Sequence, residues 1–138
     1  MAELVNQDNE HLKYLTIGHY VVGILGGLFS CVFIIHLVIG IIALTSPQLM
    51  ADKGGQVPPP FFGWIFVIMG GAALLFGWGY AVCMIIAGRS LARRKRYIFC
   101  MVMAGLSCLF IPFGTLVGVF AIIVLSRPTV KEMFEQKS

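Results

Sequence analysis

Formal charge is what this sequence has least of: ten basic and six acidic residues among 138. Three stretches, Tyr14–Ala51, Gly54–Gly88 and Tyr97–Ser126, have none at all. Each is longer than the ~20 residues an α-helix needs to cross the hydrocarbon of a bilayer. Hydrophobic residues make up 59% of the chain and the mean hydropathy is +0.92. So few charges could not cover a water-soluble surface. The scarcity excludes a soluble domain and implies an integral membrane protein.

Other absences narrow the function. No acidic side chain falls inside an apolar stretch, so no carboxylate ring or chain is offered to an ion or a proton. There is no Ser-His-Asp set, no H-E-x-x-H and no paired carboxylate near a membrane face, so no enzyme activity is expected. Cys31, Cys83, Cys100 and Cys108 all lie in apolar stretches without C-x-x-C spacing. They exclude a secreted disulfide framework and a zinc motif, and read as small packing residues. No cofactor and no metal is expected. The N-terminus carries Glu3, Asp8 and Glu10 against Lys13 alone, and no small-residue cleavage site follows, so no secretory signal is expected. The length leaves room for one small helical bundle and no second domain.

What is present sets the topology. Spans are expected at about 20–45, 61–88, 94–111 and 113–126, with a tail at 127–138. Tyr14, His19 and Tyr20 mark the start of the first span at headgroup level, and Ser46-Pro47 ends it. Pro58-Pro59-Pro60 separates it from the second, which opens on Phe61, Phe62 and Trp64 and closes at Arg89. Tyr97–Ser126 reads as one kinked helix or as a hairpin turning at Ile111-Pro112-Phe113-Gly114. The hairpin puts Lys13, Arg89, Arg93–Arg96, Arg127, Lys131 and Lys137 on one side and leaves only Lys53 on the other. A positive-inside distribution therefore favours the hairpin. The expected fold is all-α: four transmembrane helices, the last two a tight hairpin, with both termini cytoplasmic. The hairpin helices are short, so their turn should be covered by neighbouring helices. Thr129–Gln136 can add an amphipathic helix with Val130, Met133 and Phe134 on one face.

Small residues recur at four-residue spacing: Gly23-Gly27-Cys31, Ala73-Gly77-Ala81, Cys100-Ala104-Cys108 and Gly114-Gly118. Such stripes let helix backbones approach closely in lipid, either inside the chain or against another copy. Tyr20 and Tyr97 each precede a Ser-Cys pair by the same interval, a partial repeat of the kind that chance matches in apolar sequence also produce. His36 is the strongly ionisable side chain set deepest in a span, and so a possible intramembrane polar site. Haem is the alternative use, but His19 and His36 share one helix about 25 Å apart along it, so paired axial ligands would need an oligomer. Arg89, Arg93, Arg94, Lys95 and Arg96 form a dense link suited to fixing topology, to anionic lipid headgroups or to an acidic partner.

The segment Cys108–Phe120, continued by Val124-Leu125-Ser126-Arg127-Pro128, resembles a recurrent ending of small bacterial membrane proteins with a P-x-G-T-x-x-G turn before the last helix. Pro58–Pro60, Phe61-Phe62-Gly63-Trp64 and Arg89–Arg94 are similar to segments of the same uncharacterised group. The resemblance implies four helices in a bacterial inner membrane. It carries no activity and transfers no functional residue. The expected function is thus a non-enzymatic interaction protein, an accessory or self-assembling subunit packing through glycine-rich faces. An oligomeric pore and a haem-binding subunit are the alternatives. Expected partners are membrane lipids and a second copy or larger membrane complex, with no nucleic acid.

Overall fold

The computed structural model describes residues 2–136, all in helices, turns and loops, with no strand among them. Lys137, which belongs to the charge distribution above, lies outside the described residues. Six α-helices follow in order: α1 (Ala2–Ser30), α2 (Phe33–Thr45), α3 (Pro60–Arg93), α4 (Tyr97–Ser107), α5 (Phe113–Leu125) and α6 (Pro128–Glu135).

Two helical stretches are long and apolar enough to cross a membrane, Asn6–Thr45 and Pro60–Arg93. A third is reached only if α5 and α6, bent by 79° at their junction, count as one. Three features depart from the expected spans. The helix does not begin near Tyr20 but runs back to Ala2, because polar residues such as Gln7 and Glu10 propagate a helix once the apolar part has nucleated it. The first span is broken between α1 and α2, where Cys31, Val32, Ile34 and Ile35 donate to carbonyls three residues back and tighten the coil. The span expected at 94–111 is only the eleven-residue α4, about 16 Å long.

The chain forms two compact units: Met1–Leu25 with Ala81–Ser138, and Gly26–Tyr80. In the second unit α2 packs on α3 through glycine. A Cβ at Gly40 would lie 2.8 Å from Val67 N, one at Gly63 2.7 Å from Leu44 Cγ, and one at Gly70 3.0 Å from His36 Cβ. Ser30 Oγ donates toward the carbonyls of Ala73 and Leu74, 3.4 and 3.3 Å away. Between α2 and α3, Asp52 Oδ1 accepts from the amides of Gly54 and Gln56, and Gly55 takes φ +75° to close that turn. Pro60 opens α3, where its missing amide hydrogen leaves no bond unmade.

In the first unit the core gathers Leu12 and Leu15 of α1, Leu91 of α3, Cys100 and Ala104 of α4, Ala121, Val124 and Leu125 of α5, and Val130 and Phe134 of α6. Helices α4 and α5 make the hairpin. α4 ends at Ser107, earlier than Pro112, and the chain turns through residues 108–112, where the Ile111–Pro112 bond is cis. Thr115 closes the corner: its hydroxyl donates to Cys108 O at 2.9 Å and its amide to Phe110 O at 3.2 Å. Tyr97 OH donates to Leu125 O, 2.9 Å away, tying the open end of the hairpin.

Candidate functional site

The basic link owes its shape to how α3 stops. Lys95 N donates to Ser90 O and Arg94 N to Leu91 O, the paired bonds of a Schellman ending. That motif wants a left-handed residue, usually glycine, and here Arg94 takes it with φ 53°. Arg96 is left-handed as well, φ 56°, immediately before α4. Each such position strains an L-residue by ~1–2 kcal/mol. The twist separates the five cations. Arg89, Arg93, Lys95 and Arg96 line one cavity of about 250 Å³ with Ser90 and Ile86. Arg94 leaves them and donates to Asn9 Oδ1. Four of the five expected residues are therefore brought together and one is not.

Arg96 also borders a larger cavity of about 630 Å³, lined by Tyr97, Ile98 and Phe99 together with Lys131, Phe134 and Glu135 of α6. Tyr97 and Phe134 meet edge to face there at 5.7 Å.

A polar cluster that sequence reasoning missed holds α1 to the α5–α6 junction. Asp8 is 3% exposed. Arg127 donates to its Oδ1 at 2.8 Å, and Thr129 Oγ1 to its Oδ2. Arg127 Nη1 also sits 3.5 Å from His11 Nδ1. Burial pushes the Asp8 carboxyl up, but the Thr129 hydrogen bond, the Arg127 hydrogen bond and charge, and the His11 charge together hold it below its ordinary 3.8. These partners are 119 and 121 residues apart, and no local pattern announces them.

Of the residues expected at the start of the first span, Tyr14 is 64% exposed and His19 is fully buried within the protein. Its Nδ1 donates to Leu15 O at 2.9 Å, and its Nε2 is buried without a partner among the described residues. Gly88 explains the depth, since a Cβ there would come within 3.4 Å of His19 Cβ and 3.3 Å of Thr16 O. His36 is only partly buried, stacks on Phe66 with centroids 5.8 Å apart, and leans on Phe33. Its Nδ1 has no partner either.

The small-residue stripes face neighbours within their own units. A Cβ at Gly23 would be 3.2 Å from Ala81 O and Met84 Cβ, and one at Gly77 2.6 Å from Ser30 Cβ. At Gly114 it would be 2.5 Å from Ser107 O, and at Gly118 2.5 Å from Ala104 O and 2.7 Å from Cys108 Sγ. Ala81 is buried, Ala73 gives its carbonyl to Ser30, and Gly27 gives its own to Cys31 Sγ. The four cysteines are free, and no group of three metal-ligating side chains occurs among the described residues. A further pattern was available: Gly63, Gly70 and Gly77 fall seven apart, and the same step reaches Met84 and Leu91, both fully buried in the other unit. Comparison of the chain with protein-family models, curated proteins and solved structures yields no match.

Proposed function

We propose that this chain is a non-enzymatic multi-pass protein of a bacterial inner membrane, with four transmembrane helices and both termini cytoplasmic, acting as a small interaction subunit. The observation that carries the reading is the polar cluster: Asp8 and Asn9 of α1, Arg94 of the link, Arg127 just before α6 and Thr129 in its first turn take part in hydrogen bonds between these segments. Three segments distant in sequence thus share one end of one unit, and most of the cations lie in them. A membrane sorts such an end to the cytoplasm.

The glycine faces support a change in how partners are met. Gly23, Gly77, Gly114 and Gly118 contact atoms of their own unit, which leaves the large apolar side chains and the basic link for lipid or for another protein. Leu75, Phe76, Ile98 and Ile111 are among the most exposed residues of the chain. A glycine-lined oligomeric pore would require these filled faces to be vacated, so the subunit reading is preferred.

Reporter fusions test the topology. Green fluorescent protein joined to either terminus should fluoresce in intact cells, and a cysteine placed at Lys53 should react with a membrane-impermeant maleimide added from the periplasm. Protection at Lys53, or a C-terminus cleaved by protease from the periplasmic side, would overturn the proposal.

A further inference from the structure

We infer that the cavity lined by Arg89, Ser90, Arg93, Lys95 and Arg96 is a site for the phosphate of an anionic phospholipid. This rests on the topology proposed above and names the ligand of its basic link. Four cations line a hollow of about 250 Å³, and no carboxylate lines it. Their mutual repulsion is relieved by an anion supplied from outside. A phosphate between guanidinium groups receives paired, charge-assisted hydrogen bonds, which a lone surface lysine cannot provide.

The backbone brings these groups together at a cost. Arg94 and Arg96 both hold left-handed conformations that glycine would take freely. Arg94 has a visible use for its side chain, the bond to Asn9. Arg96 contributes no side-chain hydrogen bond to the cap of α4, and its side chain lines the cavity. Strain of this kind at a non-glycine residue marks a functional position.

Arg96 also decides between a lipid and free phosphate. On its other side lies the cavity of about 630 Å³ lined by Tyr97, Ile98, Phe99 and Phe134, with Lys131 and Glu135. A molecule carrying both phosphate and hydrocarbon can occupy the basic hollow with its headgroup and the aromatic one with the start of an acyl chain. Ile86 and Ile98, both exposed, line the two hollows with apolar surface that an acyl chain can cover. Free phosphate would use only the first.

The experiment uses the full chain purified in mild detergent and titrated with phosphatidylglycerol, phosphatidylcholine or inorganic phosphate, with bound lipid read by native mass spectrometry. Phosphatidylglycerol should be retained in preference to phosphatidylcholine, and inorganic phosphate in large excess should not displace it. Arg89→Gln with Arg96→Gly should weaken retention by roughly twenty-five-fold, each cation near the headgroups being worth about fivefold. Arg96→Gly relaxes the backbone, and helicity with an unchanged elution volume confirms that the variant is folded. Lys13→Gln removes one cation from the polar end without touching this cavity and should change retention by less than twofold. A loss of about fivefold in that control, the same per cation removed as in the double variant, would show diffuse attraction, and complete displacement by phosphate would show an inorganic anion site. Either result overturns the inference, as does retention unaffected by the double variant. If retention fails while the fusions still report cytoplasmic termini and Lys53 still reacts from the periplasm, only the lipid site falls; a C-terminus exposed to the periplasm would sink the topology first.

Discussion

A methyl group added at Gly118 would sit 2.5 Å from the carbonyl oxygen of Ala104, and backbone at the centre of a helical hairpin does not yield. Gly118→Ala is expected to destabilise the fold by about 1–3 kcal/mol. Gly79 and Gly105 have open space around the same position, so alanine there should be neutral or stabilising by up to ~1 kcal/mol through helix propensity. Unfolding in mixed micelles with a rising fraction of denaturing detergent would compare them, and equal losses at Gly118 and Gly105 would contradict the packing argument. The four-residue stripe of Gly114 and Gly118 was legible because close helix approach needs small residues in register. The seven-residue series Gly63, Gly70, Gly77 is the same physics at a spacing that a four-residue reading passes over. His19 was not legible. An imidazole beside two tyrosines at the start of a span reads as interfacial, and only its proximity to Gly88, 69 positions away, shows that it is buried.

Between elements, Asp8 is the tie from α1 to the start of α6. In the topology proposed above the charged end of α1 projects beyond hydrocarbon, so its ionisation follows the pH of the aqueous side. Its folded pKa lies below the ordinary 3.8, so the carboxylate contributes stability that is complete above about 3.8 and fades as pH falls through the lower folded value. The contribution is modest, because Arg127 is 42% exposed and partly screened by solvent. Asp8→Asn should therefore lose about 1 kcal/mol at neutral pH. It should also release the tail to limited proteolysis at pH 7, a sensitivity the unaltered chain should acquire only as the pH falls below 3.8 through the lower folded value. A variant whose tail is no easier to cleave at neutral pH would remove this tie from the account. The sequence shows the Pro-x-Gly-Thr corner locally, and Thr115 acts within seven residues of its partner. The Asp8 tie spans most of the chain, so folding alone reveals it.

For the whole molecule, length and charge made the helical, membrane-suited character plain, but not which face of each helix turns inward. Lipid and protein interior are both apolar, so hydropathy carries no periodicity to separate them, and the exposed Leu75 and Phe76 look no different in sequence from the buried Leu15 and Leu91. The short hairpin has a consequence at this scale. With eleven and thirteen residues, α4 and α5 reach only about 16–20 Å, against ~30 Å of hydrocarbon. In the topology proposed above, a hairpin this short crosses only where the bilayer thins to meet it. The reconstituted chain should accordingly sort toward the thinner phase when thin and thick lipid phases coexist in one vesicle, and equal density in both would mean that the hairpin does not span.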